Sequence, residues 1–374
     1  MKLDETVVEA VALGGLLLGC GGGGSAARGR LMGRLATEVG TPELVSVDEL
    51  PDDAVVITAS AVGAPAAKEQ FYRPVDFVRA VELLRESGVR ADGIITSENG
   101  GMASFNGWFQ AAILGIPVID APANGRAHPI GVMGSLGLHR EPGYISVQAC
   151  AGGNPKTGRY LETVARGDLM RCAQVVRTAS IEAGGLVAVA RNPVKASFIR
   201  EHAAVGGLGT AIELGKYLAE AESTGVESAI SRVVDSLGGQ LVAECRVEET
   251  SLETVEGFDV GVVRLSATGA ASGSRSDAQF ELTFWNEWMT VERVADGGDS
   301  GERIATFPDF VALLDTTSAV PITSAEIRPG LTVALVTAPQ ANIQLGGGMR
   351  DIELYRRIET VLKKEMVRYV EVGR

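Results

Sequence analysis

The sequence predicts an α/β fold in which a mostly parallel sheet with flanking helices forms a larger domain, and a second, mostly-β domain is inserted before a C-terminal helix. In residues 1–150, short apolar runs alternate with segments of helical spacing. Residues 228–338 instead alternate apolar and polar side chains in short stretches. Residues 351–369 carry apolar side chains near one helical face. We therefore expect domains at 1–227 and 228–338, followed by a C-terminal segment, 339–374, that packs on the first domain.

Size and composition indicate a packed protein that binds a small molecule. The 374 residues are 45% hydrophobic and 22% charged, which is typical of folded globular chains and allows two domains. A formal net charge of −13 repels phosphate backbones and anionic lipids, so we expect no nucleic-acid partner and no membrane partner. The four cysteines form no C-x-x-C pair, as expected of reduced thiols in the cytoplasm. We also expect a homo-oligomer.

Three predicted strands, 54–60, 93–97 and 116–120, each lead into a loop rich in glycine or polar residues. A predicted helix, 104–114, lies between the second and third strands, and this order implies a parallel sheet. Ligands of such sheets bind beyond the carboxyl ends of the strands. We therefore expect the polar side chains of these strands and loops to meet at one edge: Ser60, Glu98, Asn99, Asp120, Asn124, Arg126 and His128.

The later elements are expected to complete both domains. Residues 169–183 and 211–221 have helical spacing, and an apolar run at 186–190 lies between them. These elements would flank the first sheet. The mostly-β domain is expected to turn at Gly257, Gly269, Gly273 and Gly297–Gly298.

The strongest local signal is a glycine cluster, Gly21, Gly22, Gly23 and Gly24, that follows Cys20. Bare backbone amides in such a loop approach an anion or a flat polar ring closely, and a helix predicted over 26–38 adds the positive end of its dipole. We therefore expect the loop to cradle a ligand. The same dipole is expected to lower the pKa of the Cys20 thiol, although a tight turn alone also explains a small residue there.

Two other interpretations of the glycine cluster stay open. Gly19, Gly21 and Gly24 fit G-x-G-x-x-G, and Asp48 follows at about the distance of a ribose-binding carboxylate, which favours an NAD- or flavin-binding oxidoreductase. That fingerprint requires a strand before the loop, whereas the preceding residues read equally well as a helix beginning near Asp4. The cluster is also explained by a purely structural turn.

Glu98, Asn99, Asp120 and His128 are the candidate catalytic residues, because rigid strands deliver them to one edge. The alternative is that Asn99 and Asp120 cap helices and that Arg126 pairs with a carboxylate. The three histidines show no H-x-x-x-H spacing, but one of them with Glu98 and Asp120 would suit a divalent metal such as zinc. Because no G-x-S-x-G elbow is present, water is the expected nucleophile.

Several segments resemble the S-methyl thiohydantoin desulfurase family, first catalogued as a domain of unknown function and encoded beside hydantoinase or oxoprolinase genes. The resemblance spans most of the chain and is carried by residues 18–24, 98–102, 115–120, 124–129, 286–287, 307–310 and 327–333. The family often has Thr at the position of Cys20, Asp-Gly near Pro122-Ala123 and Phe at the position of His128. The segment 344–348 also lacks the family's aromatic C-terminal pattern.

The resemblance implies a hydrolase that acts on a five-membered cyclic amide or thioamide, a hydantoin or thiohydantoin. In such a reaction water attacks C2 of the ring and hydrosulfide leaves. We expect Glu98 or Asp120 as the base, acting directly or through His128 or a metal.

Further roles follow for the remaining candidates. Asn99 and the amides of Gly21 to Gly24 would donate hydrogen bonds to developing charge, while Cys20, Asn124 and Arg126 would contact the substrate, with Arg126 as its anchor. A separate alternative is a non-catalytic partner subunit of a hydantoinase- or oxoprolinase-like enzyme.

Overall fold

The computed structural model of the protein contains two β-sheets with helices packed around them. It describes residues 1–63, 69–255, 258–268, 278–294 and 301–371. The turns expected in the second domain lie outside these residues, namely those at Gly257, Gly269, Gly273 and Gly297–Gly298. Across the described ranges, no helix is both long and apolar enough to cross a membrane.

The first sheet joins parallel and antiparallel strands in the order β1-β4-β3-β2-β7-β5-β6. Its strands are β1 (Leu44–Val45), β2 (Val55–Gly63), β3 (Gly93–Thr96), β4 (Val118–Ile119), β5 (Ser146–Gly152), β6 (Leu161–Gly167) and β7 (Leu186–Lys195). Neighbours among β1, β4, β3 and β2 are parallel, and β7, β5 and β6 continue the sheet antiparallel. The predicted α/β class with its parallel strands is confirmed.

Helices cover this sheet and connect it to the second one. They are α1 (Glu5–Leu18), α2 (Ala26–Val39), α3 (Pro74–Glu86), α4 (Trp108–Leu114), α5 (Leu169–Glu182), α6 (Ala196–His202), α7 (Gly207–Ala219), α8 (Ala221–Thr224) and α9 (Val226–Ser236). The backbones of α1 and α7 approach closely because glycines lie at their contact. A Cβ on Gly14 would lie 2.6 Å from the carbonyl carbon of Ala211, and one on Gly215 equally close to that of Ala10.

The second sheet is antiparallel throughout, in the order β12-β11-β10-β9-β8-β14-β13. Its strands are β8 (Gln240–Val255), β9 (Phe258–Ala267), β10 (Gln279–Trp285), β11 (Glu287–Val294), β12 (Glu302–Thr306), β13 (Phe310–Asp315) and β14 (Thr332–Ala338). Alternate residues of β10, including Phe280 and Leu282, are buried. They belong to a hydrophobic core that also contains residues of α1 and β2, so the two sheets share one core.

The C-terminal helix, α10 (Ile352–Leu362), is shorter than the predicted 351–369. It ends where Lys363 adopts a left-handed backbone conformation with φ 53°, and a 3₁₀ turn follows at Val367–Tyr369. Its Tyr355 and Ile358 are buried. The predicted domain boundaries stay a prediction.

Two elements near the predicted edge differ from expectation. The helix expected over 104–114 is divided into a 3₁₀ turn, Ala103–Phe105, and α4, because Gly107 between them has a φ of 104°. The apolar run expected at 186–190 continues as β7 to Lys195. The longer strand carries Arg191 into the middle of the sheet, beside β2 and β5.

Candidate active site

The glycine loop lies directly against the segment that follows β3. The carbonyl oxygen of Gly23 accepts hydrogen bonds from the amides of Met102 and Ala103, both at 3.1 Å. A Cβ on Gly23 would overlap Gly100 and lie 3.1 Å from the carbonyl oxygen of Asn99. Only glycine allows such a close approach. The glycines of the loop therefore let it lie next to the segment that begins with Glu98.

The tip of the β10–β11 hairpin meets the other side of the same loop. The amide of Trp288 donates to the carbonyl oxygen of Cys20 at 2.7 Å, and the amide of Ser324 donates to that of Gly21 at 3.0 Å. A Cβ on Gly22 would lie 2.7 Å from the carboxyl carbon of Glu287. The loop therefore connects the end of β3 with the second sheet.

Glu98 and His128 form the most accessible polar pair at this place. Oε2 of Glu98 lies 3.2 Å from Nε2 of His128 and accepts the His128 backbone amide at 3.3 Å. The Glu98 side chain is 18% exposed, so a molecule from solvent reaches it, whereas the His128 side chain is only 4% exposed. Desolvation raises the pKa of Glu98 to about 8 and lowers the pKa of His128 to about 3. His128 is therefore neutral at physiological pH.

Arg126 is fully buried, and backbone carbonyls bind three of its guanidinium N–H donors. Nε donates to the carbonyl oxygen of Ala127 at 3.3 Å, Nη2 to that of Trp288 at 3.2 Å, and Nη1 to that of Asp309. The guanidinium also lies over the ring of Phe307, 4.6 Å from its centroid. Arg126 thus holds the loop after β4 against the second sheet, and its role as substrate anchor stays a prediction.

Asn99 and Asp120 both contact the first turn of α7. Nδ2 of Asn99 donates to the carbonyl oxygen of Gly207 at 2.9 Å. Oδ1 of Asp120 accepts the amides of Leu208 and Gly209 at 2.8 and 3.1 Å. The Asp120 contacts are those of the helix-capping alternative, whereas Asn99 donates to a carbonyl oxygen and therefore caps no amide of α7. Burial nevertheless raises the pKa of Asp120 above its ordinary value.

Asn124 connects two loops and is fully buried. Its Nδ2 donates to the carbonyl oxygen of Arg126 at 2.7 Å, and its Oδ1 accepts the amide of Gly346 at 3.0 Å. Both functional ends of the side chain therefore have protein partners. The predicted substrate contact of Asn124 stays a prediction.

The thiol of Cys20 was expected to have a lowered pKa, and the structure gives the opposite direction. The residue follows the C-terminal end of α1 and not the first turn of α2, so it is not at the positive end of a dipole. Its side chain is fully buried, and this burial raises the pKa of the thiol. The expected lowering of the pKa is wrong for this reason.

Sequence reasoning missed two charged residues at this site. Glu287 is 3% exposed, and its Oε2 has no hydrogen-bond partner in the described part of the chain. Arg191 has an unpartnered buried Nε, and its positive charge lowers the pKa of Glu98. For Arg191 the available signal was a charged residue immediately after the apolar run 186–190. Glu287 follows an alternating strand and Asn286, so no such signal marked it.

Unpartnered buried polar atoms are concentrated around this place. Among the described residues, they occur besides Glu287 and Arg191 on Ser60 of β2 and on Nδ1 of His128. Gln148, with an unpartnered Oε1, lies directly opposite Arg191 on β5. Buried polar groups normally find partners, so such a concentration is typical of a site that binds a polar ligand.

The predicted three-residue metal set is not assembled. Across the described ranges, no group of three or more His, Cys, Asp and Glu side chains is arranged to hold a metal ion. The Asp120 carboxylate binds the amides of α7, as described above, while Glu98 contacts His128.

The dinucleotide fingerprint lacks its structural context. The residues before the glycine loop form helix α1, which begins after Asp4, where the Asp4 side chain accepts the Thr6 amide at 2.9 Å. The fingerprint requires a strand at this position. The Asp48 side chain is 76% exposed and lies 3.3 Å from Nε of Arg200.

Comparison with known proteins gives a family and a fold. The model of the S-Me-THD-like N-terminal domain matches residues 6–157, and that of the S-Me-THD-like C-terminal domain matches residues 168–344. No curated protein sequence matches the chain. A crystal structure of a protein from Chromobacterium violaceum is similar with a TM-score of 0.71 at 19% identity, covering 97% of this chain and 96% of that one. At that identity the likeness shows the fold alone.

Proposed function

Because the chain belongs to the S-Me-THD-like family, we propose that it hydrolyses a five-membered cyclic thioamide of the thiohydantoin type with loss of the C2 sulfur. The observation that supports this proposal most directly is the Glu98–His128 pair. It combines a partly exposed carboxyl of raised pKa with a buried imidazole whose Nδ1 has no hydrogen-bond partner in the described part of the chain. Such an arrangement suits proton transfer to and from a small polar ring.

The chemistry requires a base, a site for the ring and stabilisation of developing charge. Water adds to the electrophilic C2 carbon while the electrons of the C=S bond move to sulfur. The tetrahedral centre then re-forms a carbonyl group as the C–S bond breaks and the sulfur leaves. The net reaction converts C=S and water into C=O and hydrogen sulfide.

Glu98 is the base in this proposal. Its carboxylate accepts a proton from water, and the positive charges of Arg191 and Arg126 favour the ionised form. Neutral His128 lies against the carboxylate and orients it by its backbone amide. Asp120 remains a second candidate base, although its contacts with α7 favour a capping role.

The remaining predicted residues hold the site together. Asn99, Asn124 and Arg126 join the loops after β3 and β4 to their neighbours. The glycine loop offers backbone amides to the ring, except that of Gly22, which donates to the carbonyl oxygen of Gly19 at 2.9 Å. We expect a small cyclic substrate bound between this loop and Glu98.

The test is sulfide release from a panel of thiohydantoins by the wild-type protein and by Glu98→Gln. We expect kcat to fall at least about a hundredfold in the variant, as for loss of a general base. In the wild type, kcat should increase as the pH rises through about 8, because only ionised Glu98 accepts a proton. Glu98→Gln should lose this increase.

The outcomes separate the alternatives. Wild-type activity that is unchanged in Glu98→Gln would reject Glu98 as the base. Absence of turnover together with a change in NADH fluorescence would favour the oxidoreductase. Absence of turnover together with tight binding to a hydantoinase-like enzyme would favour the partner subunit.

A further inference from the structure

The β10–β11 hairpin brings a second carboxyl, that of Glu287, to the glycine loop. We infer that Glu287 is a further catalytic residue, a neutral carboxylic acid that donates its proton to the sulfur of the substrate. This inference rests on the proposed hydrolysis and gives the second sheet a direct part in it. The position of the residue, its Oε2 without a hydrogen-bond partner among the described residues, and its neighbours carry the inference.

The position of Glu287 is fixed on both sides along the chain. The preceding residue, Asn286, has a left-handed backbone with φ 56°; its amide donates to the carbonyl oxygen of Asp259 at 2.7 Å, and its Oδ1 accepts the Asp259 amide at 2.9 Å. The following residue, Trp288, donates its amide to the carbonyl oxygen of Cys20. A side chain between two such anchors has little freedom, as a catalytic group requires.

Glu287 and the segment that carries Glu98 contact neighbouring residues of the glycine loop. Gly22 lies against Glu287, and the next residue, Gly23, contacts the backbone of Asn99, which follows Glu98. Consecutive Cα atoms are about 3.8 Å apart. The two carboxyls therefore border the same short stretch of the loop.

Two ionisable groups, Glu98 and Arg126, act on Glu287 from the elements packed around it, and Glu287 in turn acts on Cys20. Glu98 follows β3, Arg126 follows β4, and Cys20 begins the glycine loop. Burial and the charge of Glu98 raise the pKa of Glu287 well above its ordinary value, and Arg126 offsets this only in part. Three of the five N–H donors of Arg126 bind backbone carbonyls, and among the described residues Arg126 forms no direct ion pair with Glu287.

The two carboxyls have different surroundings and therefore different roles. Glu98 is partly exposed, accepts the His128 amide and is stabilised by the charge of Arg191. Glu287 is buried, and its Oε2 has no hydrogen-bond partner within the described ranges. Glu98 ionises more readily and serves as the base, whereas Glu287 keeps its proton and serves as the acid.

The proton balance closes over one turnover. As water adds to C2, Glu98 takes a proton from the water and Glu287 gives its proton to the sulfur. As the C–S bond breaks, the C2 hydroxyl returns a proton to Glu287 and the C2 carbonyl forms. Glu98 gives its proton to the leaving sulfur, which departs as hydrogen sulfide. Both carboxyls end in their starting states.

The test compares two leaving groups in Glu287→Gln, an isosteric change. A thiohydantoin has a basic leaving sulfur that needs a proton, whereas the S-para-nitrophenyl thioether of the same ring releases a weakly basic thiolate that does not. We expect kcat of the variant to fall about a hundredfold on the thiohydantoin and to change little on the thioether. Glu302→Gln, on an exposed residue of the same sheet, is the matched control and should leave both rates unchanged.

Equal losses on both substrates in Glu287→Gln would overturn the inference, because they indicate a structural role. An unchanged rate on the thiohydantoin would also overturn it while leaving the proposed function intact. Failure of the wild type to release sulfide from any thiohydantoin would instead overturn the proposed function. Infrared spectra provide a readout independent of turnover: a protonated-carboxyl band at neutral pH should lose intensity in Glu287→Gln, and an unchanged band would overturn the inference alone.

Discussion

Single glycines in the loop before α2 decide how closely the two sheets approach at the candidate site. Gly22 lies against the carboxyl of Glu287, and its backbone is not in the left-handed region. Any side chain here therefore acts by its volume alone and not by backbone strain. The pattern of glycines reflects the packing of two surfaces, in addition to any contact with a ligand.

The first prediction concerns Gly22→Ala. The added methyl group would lie 2.7 Å from the carboxyl carbon of Glu287, so either the hairpin or the loop must move. We expect a loss of about 1–3 kcal/mol in the free energy of unfolding, as for overpacked cores, and a fall in kcat. Urea denaturation and sulfide release measure the two effects.

Gly131→Ala is the matched control for this change. Gly131 is exposed, and a Cβ there would meet nothing within 4 Å. The free energy of unfolding and the kcat of Gly131→Ala should stay close to those of the wild type. Equal behaviour of the two variants would contradict the packing described for the loop.

At the scale of elements, the first turn of α7 links the loops after β3 and β4. Nδ2 of Asn99 donates to the carbonyl oxygen of Gly207, the first residue of α7. Oδ1 of Asp120 accepts the amides of the next two residues. A helix N-terminus otherwise leaves these amides without partners. The same two residues were candidates for catalysis, so substitutions that separate capping from acid–base chemistry are informative.

The second prediction therefore compares Asp120→Ala with Asp120→Asn. Alanine removes the cap and should lower the free energy of unfolding by about 1–2 kcal/mol, whereas asparagine keeps an acceptor oxygen and should cost less. Both variants should retain most of kcat at a temperature where they are folded. Complete loss of sulfide release in folded Asp120→Asn would identify Asp120 as a base instead.

The N-terminus of α10 is held by the buried carboxylate of Asp351, which contacts His139 and the exposed Arg140. Asp351 caps the helix through the Glu353 amide at 3.0 Å and also binds Nε2 of His139 at 2.7 Å and Nε of Arg140 at 2.8 Å. These contacts outweigh burial and lower the pKa of Asp351 from 3.8 to about 2. The C-terminal segment is thereby attached to the loop after β4.

The third prediction is a pH-dependent stability difference for Asp351→Asn. Because the pKa of Asp351 is lowered in the folded protein, its carboxylate stabilises the fold fully above about 3.8, and this contribution disappears as the pH falls towards 2. At neutral pH the variant should lose about 2 kcal/mol, as for hydrogen bonds to a charged group. Urea unfolding between pH 2 and 7 measures the difference; a constant gap across that range would contradict the assignment.

At the scale of the whole molecule, the two sheets share a hydrophobic core and a set of backbone hydrogen bonds. Trp288 and Ser324 donate to the glycine loop, and Arg126 donates to carbonyls of the second sheet. The core that contains α1 also contains Phe280 and Phe310. Each sheet buries part of the core of the other, and the candidate site is built from residues of both.

The fourth prediction is that the two sheets unfold together. Trp108 reports on the first sheet, and Trp285 with Trp288 reports on the second. In Trp108→Phe and in the double variant Trp285→Phe/Trp288→Phe, fluorescence and circular dichroism should give the same midpoint within each protein. A fluorescence transition that precedes the circular-dichroism transition in either variant would show that the sheets unfold separately.

Local pattern was sufficient to predict several parts of the fold and the site. The apolar runs before Glu98 and Asp120 are strands of a parallel sheet, because buried strands have few polar residues and end where polar ones begin. The helix beginning near Asp4 is confirmed by its cap. Glu98 and His128, 30 residues apart in sequence, lie together because parallel strands end at the same edge.

Other features follow from contacts between residues distant in sequence and were not predictable from local pattern. Glu287 reaches the site only because the antiparallel hairpin docks on the glycine loop, and Arg191 only because β7 pairs with β2 and β5. The pKa of the Cys20 thiol is raised because the fold buries it completely, between the end of α1 and the second sheet.

The sequence by itself thus determined the α/β class, the family and the polar edge after β3, since these depend on periodicity and short motifs. Tertiary structure alone decided which buried charges face one another. Burial, on which the protonation of Glu98 and Glu287 depends, is a property of the surrounding fold and not of the residues in order along the chain.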